Sequence, residues 1–486
     1  METKFQFQQP LLIILLILIA RIQCISIDTN LLRTQAKNLI DAYESKPTDA
    51  ILFWNAVLLN AAANDYDNSI ADSPDQAGPT TTSRAFAIIH GAMYEAMNGF
   101  ERIYISMYRP SSMPATYDVP RAPAVEAAIT EAAYQTLYAL YPKQRELFTQ
   151  TRNNFIKLVR GDSSDNAGIN KGILVGKLLA LTILESRSSD NSQNQGTYKL
   201  INQTGYHQPD PTHPDQPFLS PRWGTVTPFV IQSGSQFRAS NTVGNTLAGR
   251  RQFLRSEKYI SDYNEVVSLG TRNSQTRTAD QTEVGIFWGY DGAPKLGVPP
   301  RLYNQVVRVI AIKKNNTLQQ NAQLFAFVNY AMADAGISAW ETKYYYELWR
   351  PILGVRQGSP TTRAIPNWLP LGAPADGGGD NFTPPFPSYV SGHSTFGSAA
   401  FEMLRLFYGT DQFQFQFQSD EYNGATKDSI TGRVRPNRTR SYERFSQAEE
   451  ENFLSRIYLG VHWRIDQEEG RTMGRKIAKY IYDKLT

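Results

Sequence analysis

Apolar residues recur at three- and four-residue steps through most of the chain. That spacing predicts helices over 51–63, 83–100, 124–140, 168–184, 302–312, 321–349, 395–407, 449–458 and 470–485. Ala and Gly recur on these faces, which lets helices approach closely. Period-two alternation is clear only in the Phe-Gln repeat at 412–418, which reads as one short ribbon or an irregular loop. Two Pro- and Gly-rich stretches, 209–228 and 357–387, interrupt the helical pattern, the second containing Gly377, Gly378 and Gly379. The expected fold is all-α: two helical bundles packed together, with an N-terminal region over 25–265 and a C-terminal one over 266–486.

The first residues depart from this pattern. Lys4 precedes an apolar run over 11–20 that is shorter than a membrane span and reads as part of a signal peptide, 1–24. A retained N-terminal anchor is the alternative. Cys24 is the only cysteine, so cleavage after it leaves a chain without disulfides, held by packing alone. Asn-x-Thr triplets at Asn202, Asn315, Asn381 and Asn437 agree with a secreted or extracytoplasmic location. Beyond the leader, no apolar run reads as a stable membrane span. With 486 residues the chain can bury a large core. Its net charge of +4 is spread over interleaved acids and bases, which gives no basic stripe for nucleic acid.

Three segments of the last third carry chemistry. Lys343 and Arg350 are seven apart, so on an unbroken helix they share a face about 10.5 Å apart, with Glu347 between them and Pro351 as the helix end. Taken alone, a surface Lys–Glu–Arg ladder explains them better. Pro384, Pro385, Phe386 and Pro387 form a stiff approach to Ser391, an N-cap for a helix carrying Phe396, Ala400, Met403 and Phe407. Gly392 allows backbone approach there, the helix start offers free N–H groups to an anion, and His393 sits at the rim as a proton carrier. Capping serines are common, so this segment is weak by itself. Arg456 and His462 are six apart and would diverge by about 120° on a continuous helix. Gly460 offers a break, with a fresh start near His462 and Asp466 placed to hold one imidazole nitrogen. A buried structural histidine is the alternative for His462.

Together the segments describe a cradle for a tetrahedral oxyanion, built from loops and helix ends of the second bundle. Cations about 5 Å apart repel by about 3 kcal/mol per pair at an effective dielectric near 20. A bound anion removes that cost and adds charge-assisted hydrogen bonds of roughly 1.5–3 kcal/mol each. No Cys pair or His-carboxylate cluster has the spacing of a cationic metal site.

The three segments resemble the superfamily shared by vanadium-dependent haloperoxidases and type 2 phosphatidic acid phosphatases. The stretches 340–351, 384–393 and 456–464 are similar to the chloroperoxidase-type branch. So, more generally, are Ser83-Arg84-Ala85-Phe86-Ala87 and Met93-Tyr94-Glu95-Ala96. Val390 departs from the pattern, standing where proline is common. The resemblance implies vanadate as cofactor, with phosphate as a competing occupant, and His462 as the axial ligand to the metal. It implies that Lys343, Arg350, Ser391, Gly392 and Arg456 hold the oxygens. His393 would be the acid–base group, and Lys343 would polarise bound peroxide for attack by halide. Trp340 and Phe386 match positions that shape the halide pocket, although core packing accounts for them equally. The implied partners are hydrogen peroxide, halide and a small organic acceptor, with hypohalous acid as the product. In a soluble secreted acid phosphatase of the same superfamily, His462 would instead form a phosphohistidine, with His393 as acid and Asp466 orienting His462. A non-catalytic anion-binding protein is the third reading, and it needs no His393. His90, His207 and His213 match no motif.

Overall fold

All nine predicted helices form, among fifteen in the computed structural model, which describes residues 28–110, 113, 121–161, 165–374, 380–428 and 430–486. The segment 1–24, expected to be a signal peptide, and the Gly377–Gly379 triplet lie outside the described residues. In chain order the helices are α1 (Thr29–Ser45), α2 (Ala50–Asn64), α3 (Gly78–Glu101), α4 (Arg121–Leu140), α5 (Arg145–Gly161), α6 (Asn166–Ser186), α7 (Leu247–Phe253), α8 (Glu257–Leu269), α9 (Ala279–Phe287), α10 (Pro299–Lys314), α11 (Leu318–Tyr346), α12 (Pro351–Gln357), α13 (Gly392–Tyr408), α14 (Phe445–Tyr458) and α15 (Arg464–Leu485). Their starts are written in the sequence. Asp49 caps α2, and Thr317 with Gln320 forms a reciprocal capping box on α11.

Helices α3 to α6 make one packed group, with α1 laid on α5, and α11, α13, α14 and α15 make the other. The groups meet where α3 lies along α11, whose 29 residues are buried along most of their length. The expected two-bundle, all-α architecture is therefore present. Close approach within the second group depends on small residues. A Cβ on Gly474 of α15 would stand 2.3 Å from the Thr395 carbonyl oxygen of α13, so a side chain there would push the two helices apart. The Phe-Gln repeat makes a longer ribbon than expected: β1 (Gln412–Asn423) pairs antiparallel with β2 (Asn437–Arg444). Phe415 and Phe417 point inward while Gln414, Gln416 and Gln418 bond across to Glu443, Ser441 and Asn437.

Two expectations need correction. Among the described residues one helix is long and apolar enough to cross a membrane, α6, with mean hydropathy 1.5. Its Gly172 and Gly176 lie against the Ala124 and Ala128 carbonyls of α4, so it packs within the first group. The 209–228 stretch, read as a separator, lines the site described below: the Leu219 carbonyl accepts from Trp340 Nε1 at 3.2 Å and from the Tyr344 hydroxyl at 2.8 Å.

His90 sits in the α3–α11 seam, stacked on Phe325 at 5.1 Å between ring centroids, with Nε2 3.2 Å from Asn55 Nδ2. Burial pushes its pKa down to about 3. In the unfolded chain the ring takes a proton as pH falls through about 6.5, whereas the folded ring stays neutral until about pH 3. Folded-state stability is therefore lost as pH falls across that window, by on the order of 5 kcal/mol. Urea unfolding between pH 3 and 6.5 should show His90→Gln with a pH slope shallower by up to about one proton. Identical slopes would remove His90 from the acid response.

Candidate active site

The sequence expectation for the first segment fails in an informative way. Helix α11 stops at Tyr346, and Glu347 closes it with left-handed backbone, φ 55°. Leu348 and Trp349 run on without helix, and Arg350 is the extended N-cap of α12, at φ −82° and ψ 160°. Pro351 starts that helix instead of ending the previous one. Proline favours a first helical position and forces its predecessor out of the α region. Lys343 and Arg350 thus approach from different elements. Glu347 does not hold them; burial raises its carboxyl pKa, and its charged and hydrogen-bonding neighbours are Arg250 and Tyr198.

Both cations close on the 384–390 loop. Arg350 Nε donates to the Phe386 carbonyl at 2.8 Å, and Nη1 donates to the Val461 carbonyl at 2.8 Å. Lys343 Nζ donates to the carbonyls of Pro387 at 3.0 Å and Ser388 at 3.2 Å, and to that of Val390. The Phe386 ring lies beneath both, 4.9 Å from Lys343 Nζ and 4.8 Å from Arg350 Cζ, a cation–π arrangement on each. Trp340 packs on Phe386 at 4.7 Å.

Ser391 caps α13, with its hydroxyl accepting from the Ser394 N–H at 3.3 Å, which leaves the hydroxyl proton free to be donated. The N–H groups of Gly392 and His393 occupy the first two helical positions and have no carbonyl within the helix to meet. His393 is buried, not at a rim. Its Nε2 lies 2.8 Å from the Gly289 carbonyl, which can only accept, so Nε2 carries the proton and Nδ1 the lone pair. Burial and then Arg456 push its pKa down to about 3.

The third segment breaks as predicted. Helix α14 ends at Tyr458, Gly460 takes φ 71°, and α15 begins at Arg464, two residues after His462. A Cβ on Gly460 would stand 2.5 Å from the Gly270 carbonyl oxygen. His462 Nδ1 is 2.9 Å from Asp466 Oδ2, which also accepts from the Trp463 N–H at 2.9 Å and from the Ser388 hydroxyl. The carboxylate therefore fixes a proton on Nδ1 and leaves the Nε2 lone pair, which meets Arg350 Nη1 at 3.3 Å. Burial, with Arg350 and Lys343 nearby, holds the imidazole pKa well below the usual histidine range. The same burial, reinforced by Arg350, lowers Lys343.

These groups surround a cavity of about 220 Å³. Gly392, His393, Arg456 and His462 line it together with Trp340, Phe386 and Phe396. Lys343, Arg350, Ser391 and Asp466 stand one layer back, outside its lining. Sequence reasoning missed two residues. Asp291 clamps Arg456 with both oxygens, at 2.8 and 2.9 Å, in a pair whose side chains are 7% and 1% exposed. Ser388 braces Asp466 from the proline-rich loop. Nothing in the local sequence marks Asp291 beyond an Asp-Gly turn, because its partner is 165 residues away.

The donor set suits an oxyanion. Arg350 Nη2 and Arg456 Nε are buried without a protein partner, beside two unused helix-start N–H groups and an imidazole lone pair. Buried donors in this state are costly unless a ligand or water meets them. Removing Asp291 should expose this balance. Asp291→Ala leaves Arg456 buried and unpaired, a loss of about 3 kcal/mol or more. Saturating phosphate should then raise the melting temperature of the variant more than that of the parent, because the anion substitutes for the lost carboxylate. Equal shifts would separate Asp291 from the anion site.

Residues 323–486 match the domain family described as the VCPO second helical-bundle domain. The vanadium chloroperoxidase of Curvularia inaequalis is 31% identical over 516 aligned positions, covering 89% of this chain and 81% of that protein. The crystal structure of a bacterial vanadium-dependent iodoperoxidase superposes with a TM-score of 0.67 at 24% identity, over 88% of this chain and 95% of that one. That of a holo-type bacterial vanadium-dependent chloroperoxidase gives 0.62 at 16% identity, over 86% and 95%. At those identities the structural likeness speaks for the fold alone. With the sequence relationship added, the chain belongs to the vanadium-dependent haloperoxidase family of peroxidases.

Proposed function

We propose that the protein is a vanadate-dependent haloperoxidase that uses hydrogen peroxide to oxidise halide to hypohalous acid, which halogenates a small organic acceptor after export by the 1–24 leader. The observation that carries this reading is His462, with Nδ1 committed to Asp466 and Nε2 presented among buried, incompletely paired cations. Vanadate would be held there by His462 Nε2, with Arg350, Arg456, Ser391, Gly392 and Lys343 as the groups that would meet its oxygens. The bound group supplies Lewis-acid activation of peroxide. The chain's own residues do the rest. His393 Nδ1 takes a proton from incoming hydrogen peroxide, with the ring held by Nε2 on the Gly289 carbonyl. The two arginines and Lys343 balance negative charge without moving, since each is already anchored to loop carbonyls or to Asp291. Trp340 and Phe386 supply an apolar wall beside this charge, where the desolvation of a halide would be offset by the neighbouring cations.

Phosphoester hydrolysis is the second reading, favoured by the same Asp466-held Nδ1, which leaves Nε2 able to attack phosphorus. Peroxide-dependent halogenation of a phenolic dye, with and without added vanadate and beside an aryl phosphate control, separates the two. The expected result is at least about a tenfold rise in halogenation on adding vanadate, an effect of over 1.4 kcal/mol, suppressed by phosphate. Ester hydrolysis with no halogenation for any halide would overturn the assignment.

A further inference from the structure

A second, much smaller space lies on the far side of Arg350. His207, Gln216, Thr383 and Arg350 line it, and Gln216 also lines the main cavity together with Pro384 and Pro385. Its volume is about 10 Å³, near the least that one water molecule requires. Each of these four side chains has polar atoms buried without a protein partner: both ring nitrogens of His207, Gln216 Oε1, Thr383 Oγ1 and Arg350 Nη2. His207 is 2% exposed, with its ring against Phe218 at 5.5 Å. An unpaired polar atom is rare in a folded interior, and four side chains that carry one around a single water-sized space point to a shared partner, to which His207 can turn one of its two ring nitrogens.

The chemistry selects what that partner is. A neutral imidazole offers one donor and one acceptor, a hydroxyl either role, the amide oxygen an acceptor and the guanidinium a donor. Asp210 also borders the space, its Oδ2 accepting from the Thr383 N–H at 3.0 Å, which disfavours an anion. Water serves every role at this size. We propose that this chamber is a structural water site that braces Arg350 from behind, and that His207 is a positioning residue for the oxyanion cradle. The backbone supports the link: the His207 N–H donates to the Glu347 carbonyl at 2.9 Å, and Tyr206 bridges Leu348. The segment carrying His207 is thereby tied to the one that leads into Arg350. A terminal guanidinium nitrogen bears two hydrogens, so Nη2 can face the water and the cradle at once.

The inference rests on the oxyanion cradle of the proposed function but not on halogenation, so its test uses inorganic phosphate as probe. A high-resolution crystal structure of the full chain should show one water within hydrogen-bond distance of a His207 ring nitrogen and Gln216 Oε1. Calorimetric titration should give a phosphate Kd raised about tenfold in His207→Phe, the scale of losing an outer support of a bound ion, and changed by less than about threefold in His207→Gln. Melting temperatures of both variants should stay near that of the parent. Thr383→Val removes one partner of the water at nearly constant volume, and should raise the Kd severalfold even if His207→Phe does not fold. A dry chamber, or phosphate affinity unchanged by both His207→Phe and Thr383→Val, overturns the proposal whatever the halogenation assay gives.

Discussion

His462→Ala is expected to lose vanadate affinity by at least about a hundredfold and halogenation to background, while phosphate still binds within a fewfold of the parent. Outer-sphere partners of a metal ligand are worth 10–100-fold, so removing the ligand itself should cost no less. Phosphate on the haloperoxidase reading forms no bond to Nε2 and is held by cations and helix-start N–H groups that the substitution leaves in place. The fold should tolerate the change, because Asp466 keeps the Trp463 N–H and the Ser388 hydroxyl. Equilibrium dialysis with each anion reads both quantities on one protein. A variant that retains vanadate as tightly as the parent would remove His462 as the ligand. One that loses both anions alike would mean that the imidazole supports the whole cradle.

Much of this arrangement was legible in the chain because its causes are local. The periodic apolar faces of α3, α11 and α13, the Ser391 cap and the break at Gly460 each follow from residues within a few positions. The misreadings have one physical origin. Seven-residue spacing placed Lys343 and Arg350 on one helix, but proline at 351 can as well begin a helix as follow one. Only the left-handed turn at Glu347, fixed by tertiary context, decides between them. The polar helix α5 escaped for a separate reason. Its apolar stripe, Leu147, Phe148, Phe155, Ile156 and Val159, does recur at helical steps, but it is set among so many polar residues that the segment is hydrophilic on average. Asp291 and Ser388 were invisible because they reach partners 165 and 78 residues away.

The 384–390 loop connects fold to site. Its carbonyls at Phe386, Pro387, Ser388 and Val390 take hydrogen bonds from Arg350 and Lys343. The Ser388 N–H returns a bond to the Leu348 carbonyl at 2.8 Å, and the Ser391 N–H to the Asp466 carbonyl at 2.9 Å. Proline at 384, 385 and 387 removes three backbone donors from this loop; backbone N–H groups meet the Pro384 and Pro385 carbonyls, and the two cationic side chains meet those that follow. Two long cationic side chains are thus fixed by a loop whose own conformational entropy is low. A cradle ordered before its anion arrives needs little reorganisation on binding.

His393→Ala should separate chemistry from binding. A positioned general base contributes about 10²–10⁴-fold to a proton-transfer step, and the expected loss in kcat lies in that range, with vanadate and phosphate Kd values within a fewfold of the parent. The binding surface survives because the helix start is held through the backbone: the His393 carbonyl accepts from the Tyr303 hydroxyl at 2.9 Å and from Asn452 Nδ2 at 3.0 Å. The pH dependence gives a second, independent reading. Without an anion, burial and Arg456 hold the His393 pKa near 3. A bound oxyanion offsets the positive charge of Arg456 and moves the pKa upward, so the neutral, proton-accepting ring is lost as pH falls through that raised value. The parent should therefore show an acid limb in kcat that His393→Ala lacks. If the variant keeps both the rate and the limb, the proton passes through another group, and His393 is only the second residue of a well-capped helix.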